Sequence, residues 1–475
     1  MNVLFATSEA EPFIKTGGLA DVSYALPKYL KRMEVDVRVV MPKYKNIKVP
    51  AEDLNFVKWF MVPVGWRNQY CGIFEYNVDG VTYYLIDNEY YFLRDGCYGY
   101  DDEAERFAFF DRAVLMLLKE IHWKADIIHC NDWQTAMVPV LYKIQYQYDP
   151  FYSDIKTVFT IHNLAYQGNF DPNILSDLFG LGQELYYNGT LEFYGAVSFM
   201  KGGISFADEI TTVSKTYAEE IQTPQYGERM DGLLRSRRDH LHGIINGIDY
   251  EIYDPAVDKY IFKNYDVETV KTRTENKLKL QKQLGLSIDE HMPMIGMISR
   301  LTWQKGVGLI EAAAHDMLKM GIQLVVLGTG EHNAEWFFRN LERMYPGQVS
   351  ANILFDDVLA HKIYASSDIF LMPSLFEPCG LSQLIAMRYG SLPLVHETGG
   401  LKDTVKPYNE FTGEGTGFSF VSYDPLTLTK ILDMALKYYR YDEEIWYNIV
   451  VQAMNCDNSW QNSAREYMEL YKSIT

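Results

Sequence analysis

The chain has 475 residues, 44 basic and 63 acidic side chains for a formal charge of −19, and 48% hydrophobic against 23% charged residues. That acidic surplus leaves no net basic footprint for duplex nucleic acid, and no apolar run reaches the roughly 20 residues that span a bilayer. A chain this long exceeds the roughly 250–300 residues at which one core stops growing, so two large domains are expected.

In chain order, short apolar runs alternate with longer amphipathic stretches, the pattern of parallel strands joined by crossover helices. Strands are predicted at Val3 to Ala6, Val37 to Met41, Ile127 to Cys130, Val158 to Ile161, Ile210 to Val213 and Ile244 to Asn246. Alternating residues around Asp79-Gly80 between Cys71 and Asp87 predict an inserted antiparallel hairpin. A second series follows at Met294 to Ile298, Leu324 to Leu327, Ile353 to Phe355, Ile369 to Met372 and Leu392 to Val395. Between the series, 248–292 carries charge and no buried-strand signal, which places the domain boundary at 246/247. The expected organisation is an N-terminal domain over 1–246, a C-terminal domain over 247–457, and a final amphipathic helix over 458–475 whose Trp460, Tyr467, Leu470 and Tyr471 need a surface to cover. Met1 to Thr7 has no basic n-region, and the five cysteines are scattered with no C-x-x-C pair, so a cytoplasmic protein with free thiols is expected.

Candidate chemistry sits where strands end. After the first strand, Lys15-Thr16-Gly17-Gly18 leads into a helical stretch containing Asp21. Two glycines give backbone amides access to a ligand, a helix start favours anions, and Lys15 adds a full charge, so the segment reads as a diphosphate cradle; a tight turn is the equal alternative. The run matches neither a dinucleotide G-x-G-x-x-G nor a P-loop. Arg300 and Lys305, after the first strand of the second series, occupy the ligand crevice of an open α/β sheet. Glu377-Pro378-Cys379-Gly380-Leu381 follows another strand; Pro378 suits a helix's first turn, with Glu377 at its mouth as a carboxylate facing sugar hydroxyls. His162 and Asn246 offer neutral hydrogen-bonding groups at strand ends, although a lone histidine is more often structural. His240 and His242 lack a third ligand and read as loop, and with no D-x-D motif a metal-free reaction is favoured, with cations meeting a leaving diphosphate.

Taken in order from 15 to 401, these motifs, with His162 to Gly168, Lys201-Gly202-Gly203, Thr211 to Ser214, Asn246 to Asp249, Leu327 to Gly330 and Thr398 to Leu401, resemble the bacterial glycogen synthase and plant starch synthase family. The resemblance implies an α/β protein of GT-B type, two Rossmann-like doubly wound domains facing across a cleft. It implies retaining transfer of glucose from ADP-glucose to the non-reducing end of an α-1,4-glucan. By position, Glu377, Lys305, Arg300 and His162 would be catalytic; Lys15, Gly17, Gly18, Asp21, Asn246, Cys379, Gly380 and Leu381 would bind substrate. Lys15, Arg300 and Lys305 would hold the phosphates and Glu377 the hexose. No metal or cofactor is implied, ADP-glucose being a co-substrate, and the partners are that nucleotide sugar and the glucan, with no membrane or nucleic acid. The chain departs from many relatives at Cys130 to Gln134, at Leu375 and at His396. Two rivals are a glucan phosphorylase of the same fold, which would need pyridoxal phosphate on a lysine, and a non-catalytic glucan-binding regulator.

Overall fold

The computed structural model describes all 475 residues, which form two compact units: Met1–Asn246 together with Trp460–Thr475, and Gly247–Ser459. No helix is long and apolar enough to cross a membrane.

The first unit holds strands β1 (Asn2–Ala6), β2 (Asp36–Pro42), β3 (Asn55–Val64), β4 (Arg67–Val78), β5 (Val81–Asp87), β6 (Ile127–Asn131), β7 (Lys156–Ile161), β8 (Asn169–Phe170), β9 (Glu192–Phe193), β10 (Ala196–Ser198), β11 (Glu209–Thr212) and β12 (Leu241–Gly243). Nine of them make one sheet in the order β12-β11-β7-β6-β1-β2-β5-β4-β3, parallel except where β4 pairs antiparallel with β5 and β3. Central β1 is apolar without alternation because helices cover both its faces, and Val3, Leu4, Phe5 and Ala6 are all fully buried. At the edge, β3 alternates: Phe60, Val62 and Val64 are buried while Trp59, Met61 and Pro63 face out. Asp79 and Gly80 both take positive φ, 51° and 81°, as the predicted two-residue hairpin turn requires.

The C-terminal helix Trp460–Ile474 belongs to this first unit. Trp460, Tyr467, Leu470 and Tyr471 are buried, and the helix packs against the helix Gly18–Arg32. Tyr471 Oη lies 2.6 Å from His129 Nδ1 in the middle of the sheet.

The second unit is a wholly parallel sheet of β13 (Met294–Ile298), β14 (Gln323–Leu327), β15 (Val349–Asn352), β16 (Ile369–Met372), β17 (Leu392–His396) and β18 (Phe418–Phe420). Its order, β15-β14-β13-β16-β17-β18, is the 3-2-1-4-5-6 winding of a Rossmann fold. The first sheet repeats it, reading β5-β2-β1-β6-β7-β11. In each sheet the order reverses between two central strands, β1 and β6 or β13 and β16, and a crevice opens at their carboxyl ends.

Two predicted strands shift. Pairing with β11 occupies 241–243, and Ile244 only closes it by donating to Thr212 O, so 244–246 is the loop beyond the strand. Likewise β15 ends at Asn352; Ile353 packs against the core, but Leu354 and Phe355 are 43% and 72% exposed. His242 lies in β12 rather than in a loop, and both it and His240 bond Glu209 of the neighbouring strand.

Candidate functional site

In the first unit the segment after β1 folds back over its own carboxyl end. Glu9, buried there, accepts hydrogen bonds from Thr16 N (2.7 Å) and Thr16 Oγ1 (2.6 Å), which pins the loop carrying Lys15. Burial pushes the Glu9 carboxyl up to about 7, against the pull of those bonds. Lys15 Nζ donates to Asp21 Oδ1 at 2.7 Å, so these two predicted residues are partners across the first turn of the helix Gly18–Arg32. Gly17 caps that helix in an extended conformation with no side-chain cap, leaving backbone amides at a helix start where an anion is favoured. A Cβ on Gly17 would meet nothing nearer than Glu9 Oε1 at 3.8 Å, so neither strain nor crowding demands glycine there.

Beside β1, the end of β6 presents Asn131 and Asp132. His162, one residue past β7, places Nε2 2.9 Å from Asn131 Oδ1, and its backbone N donates to Asp132 Oδ1 at 2.8 Å. Burial drives the imidazole down to about 3, so at neutral pH it is an uncharged hydrogen-bonding group and not a proton reservoir. Asp132 itself takes φ of 56°, and burial raises its carboxyl to about 7 despite the amides of His162 and Asn163. Gly168 closes the same loop at φ 59°, where a Cβ would come within 2.4 Å of the Trp133 ring; only glycine fits. Asn246, the last residue of this unit's first segment, is 5% exposed with its Oδ1 unpartnered, an acceptor held ready and not used within the protein. Lys201 is engaged elsewhere: its Nζ bonds the carbonyls of Gly189 and Glu192, while Gly202 and Gly203 let their helix approach Val140 and Phe159.

The second unit gathers three predicted residues at the reversal between β13 and β16. Lys305 Nζ donates to Glu377 Oε2 at 2.5 Å, and Ser374 Oγ donates to the same oxygen at 3.0 Å. Glu377 is 6% exposed, so its carboxyl is held in a nearly dry place by one cation and one hydroxyl. Arg300, five residues before Lys305, is exposed and makes no ion pair. Gly306 fixes the two loops together: at φ 80° its Cβ would stand 2.0 Å from Pro373 O. From the far side, Gly400 N donates to the carbonyls of Glu377 and Pro378, each at 3.1 Å. A Cβ at Gly399 would reach 2.0 Å from Glu377 O and one at Gly400 2.1 Å from Cys379 O. Cys379, Gly380 and Leu381 therefore lie in a loop pressed between β16 and β17. Pro378 is not in a helix's first turn, because the helix begins only at Ser382; Glu377 is stabilised by Lys305 and Ser374 rather than by a helix dipole.

Glu9, Asp132 and Ser374 are the site groups that sequence reasoning passed over. Their one sequence signal is position, within five residues of a strand's carboxyl end. At His396 the ring nitrogens lie 2.8 Å from Ser374 O and 3.2 Å from Val421 O, so this side chain braces the loop behind Glu377.

A family model described as the starch synthase catalytic domain matches residues 2–236, and one for group 1 glycosyl transferases matches 281–449. The chain is 59% identical to a glycogen synthase of Clostridium kluyveri over the whole of both proteins, and 59% identical to one of Clostridium perfringens, covering 98% of it. Among solved structures, the catalytic domain of starch synthase IV from Arabidopsis thaliana, bound to ADP and acarbose, is 35% identical with a TM-score of 0.93, covering all of this chain and 99% of that one. A sucrose-phosphate synthase from Thermosynechococcus elongatus, 16% identical with a TM-score of 0.63 and coverage of 100% and 98%, shares the fold.

Proposed function

Because this chain belongs to the family of bacterial glycogen synthases and starch synthases, we infer that it is a glucosyltransferase that moves glucose from ADP-glucose onto the non-reducing end of an α-1,4-glucan with retention of configuration. The observation that carries the reading is the Lys305–Glu377 pair at the reversal point of the second sheet, with Arg300 unpaired beside it. A reaction that expels a nucleoside diphosphate needs positive charge where the leaving oxygens gain negative charge, and Arg300 and Lys305 are that charge. Glu377, held by Lys305, accepts hydrogen bonds from hexose hydroxyls and fixes the ring as the glycosidic bond breaks.

In the first unit, Lys15 and the uncapped helix start behind Gly17 and Gly18 hold phosphate oxygens, and Asp21 orients Lys15 through their 2.7 Å contact. The neutral His162 and the unpartnered Oδ1 of Asn246 bond sugar hydroxyls. Retention follows when the acceptor hydroxyl attacks the face the diphosphate leaves, its proton passing to the departing phosphate oxygen; no protein nucleophile is called for. The proposal asks for no metal or cofactor beyond the sugar nucleotide and places the reaction in the cytoplasm. The test is direct. Purified protein, glycogen and either ADP-glucose or UDP-glucose are mixed and the nucleoside diphosphate and glucan growth are quantified. Release of ADP with lengthened chains is expected; diphosphate release without chain growth, or a preference for UDP-glucose, overturns the assignment.

A further inference from the structure

The second sheet has another edge. Asp368 directly precedes β16 and Glu290 lies just before β13, so both stand at the amino ends of the strands, away from Arg300, Lys305 and Glu377. There the start of the helix Thr274–Gln283, the end of the helix Asp357–Ser366 and the helices Pro425–Tyr441 and Glu443–Met454 line a partly open cavity of about 510 Å³.

The cations in this cavity are not equally well partnered. Lys277 is satisfied, its Nζ donating to Asp368 Oδ2 (2.8 Å), Glu290 O (2.9 Å) and Tyr439 Oη (2.8 Å). Asp368 Oδ2 also accepts from Met294 N at 2.8 Å. Arg273 has no counter-charge within hydrogen-bond distance. It is 6% exposed, its Nη2 donates to the Ser367 carbonyl at 2.6 Å, and its Nε has no partner. The one carboxylate within 4 Å is the same Asp368, whose Oδ1 lies 3.9 Å from Nη1 while its Oδ2 holds Lys277 and Met294 N. Ser366, 1% exposed on the same wall, also has an unpartnered hydroxyl. A buried guanidinium without a hydrogen-bonded counter-charge and an idle buried hydroxyl are both costly, and one oxyanion would relieve both.

We propose that this cavity is a second ligand site that takes a small phosphate monoester. The phosphate meets Arg273 and the Ser366 hydroxyl, with Lys271 at the rim, where its ammonium donates to Glu443 Oε1 at 2.6 Å and sits 4.6 Å above the Tyr447 ring. The organic part lies against Tyr439, Tyr447 and Trp446, since a volume of this size suits a small organic molecule and far exceeds a bare oxyanion. The site stands on the cavity alone and not on the transferase reading, because binding is read directly and at the opposite edge of the sheet.

Isothermal titration of the full chain tests it, with ribose 5-phosphate, inorganic phosphate and ribose as probes. Ribose 5-phosphate is expected to bind, phosphate more weakly and ribose not at all. Arg273→Gln is expected to weaken ribose 5-phosphate at least about tenfold, the loss of a charge-assisted contact. Lys271→Ala, at an exposed position that folding does not depend on, is expected to weaken it about threefold. Lys305→Ala should leave it unchanged. The proposal is overturned if ribose 5-phosphate does not bind, if Lys305→Ala abolishes binding, if phosphate binds as tightly as the ester, or if Lys271→Ala leaves the affinity untouched.

Discussion

Lys305 Nζ stands 2.5 Å from Glu377 Oε2, joining the loop after β13 to the loop after β16 where the strand order of the second sheet turns back. The pair makes each residue the condition of the other: the ammonium satisfies a buried acid, and the acid fixes where the ammonium points. Lys305→Ala and Glu377→Ala should each lower kcat by about 10²–10³, the usual cost of one preorganised electrostatic contact. The double variant should fall well short of the product of the two losses, since either substitution already breaks the shared contact. Steady-state rates with ADP-glucose and glycogen decide it; fully multiplicative losses would mean that the two side chains work separately.

Asn246 offers a different balance. Its Oδ1 is buried and unpartnered, so the free protein carries the cost of an idle acceptor that a sugar hydroxyl would repay. Asn246→Ala should therefore leave the melting temperature unchanged or raise it slightly while lowering kcat/KM by about tenfold or more. A variant that is clearly less stable and fully active would assign Asn246 to the fold instead.

The two sheets were legible because central parallel strands are buried on both faces, and a run such as Val3 to Ala6 has no other use. What slipped was set by pairing rather than composition. The strand predicted at Ile244 to Asn246 lies three residues earlier because β12 aligns with β11 through Leu241 and Ile210. The edge strand β3 went unread because Phe56 and Val57 are adjacent and both exposed, which blurs its alternation. At the site, Lys15, Lys305 and Glu377 show in sequence as charges beside glycine at strand ends. Glu9 and Asp132 do not, because their work is to hold backbone amides: Glu9 that of Thr16 in its own loop, and Asp132 that of His162 across 30 positions, a proximity only the folded sheet creates.

Gly399 tests how tightly the Glu377 loop is held. Its φ of 44° is left-handed, and a Cβ there would stand 2.0 Å from Glu377 O, against backbone that cannot swing aside as a side chain does. Gly399→Ala should shift the loop, destabilise the protein by about 1–3 kcal/mol and reduce kcat more than it raises KM. Urea denaturation and steady-state kinetics measure the two effects. An unaltered kcat in the folded variant would show that the Glu377 loop tolerates displacement.

Asp132 links the first unit's site to pH. Burial raises its folded carboxyl to about 7, while in the unfolded chain the group titrates near 3.9. The folded state thus holds its proton more tightly, so this group's contribution is most favourable below about pH 4, is lost progressively as pH rises toward 7, and changes no further above that. His162 runs the other way: its folded value near 3 lies below the ordinary histidine range, and its contribution is lost as pH falls from about 6.5 toward 3. Between pH 4 and 6.5 the two slopes oppose each other in the wild type, and substitution separates them. Asp132→Asn cannot ionise, so its stability relative to wild type should improve between pH 5 and 7.5, by on the order of 2–4 kcal/mol, whatever the fixed cost of altering its bonds to His162 N and Asn163 N. Urea unfolding of both proteins at pH 5, 6 and 7.5 gives the difference. A gap that stays constant across that range would show that the Asp132 carboxyl ionises at its ordinary pH in the folded chain.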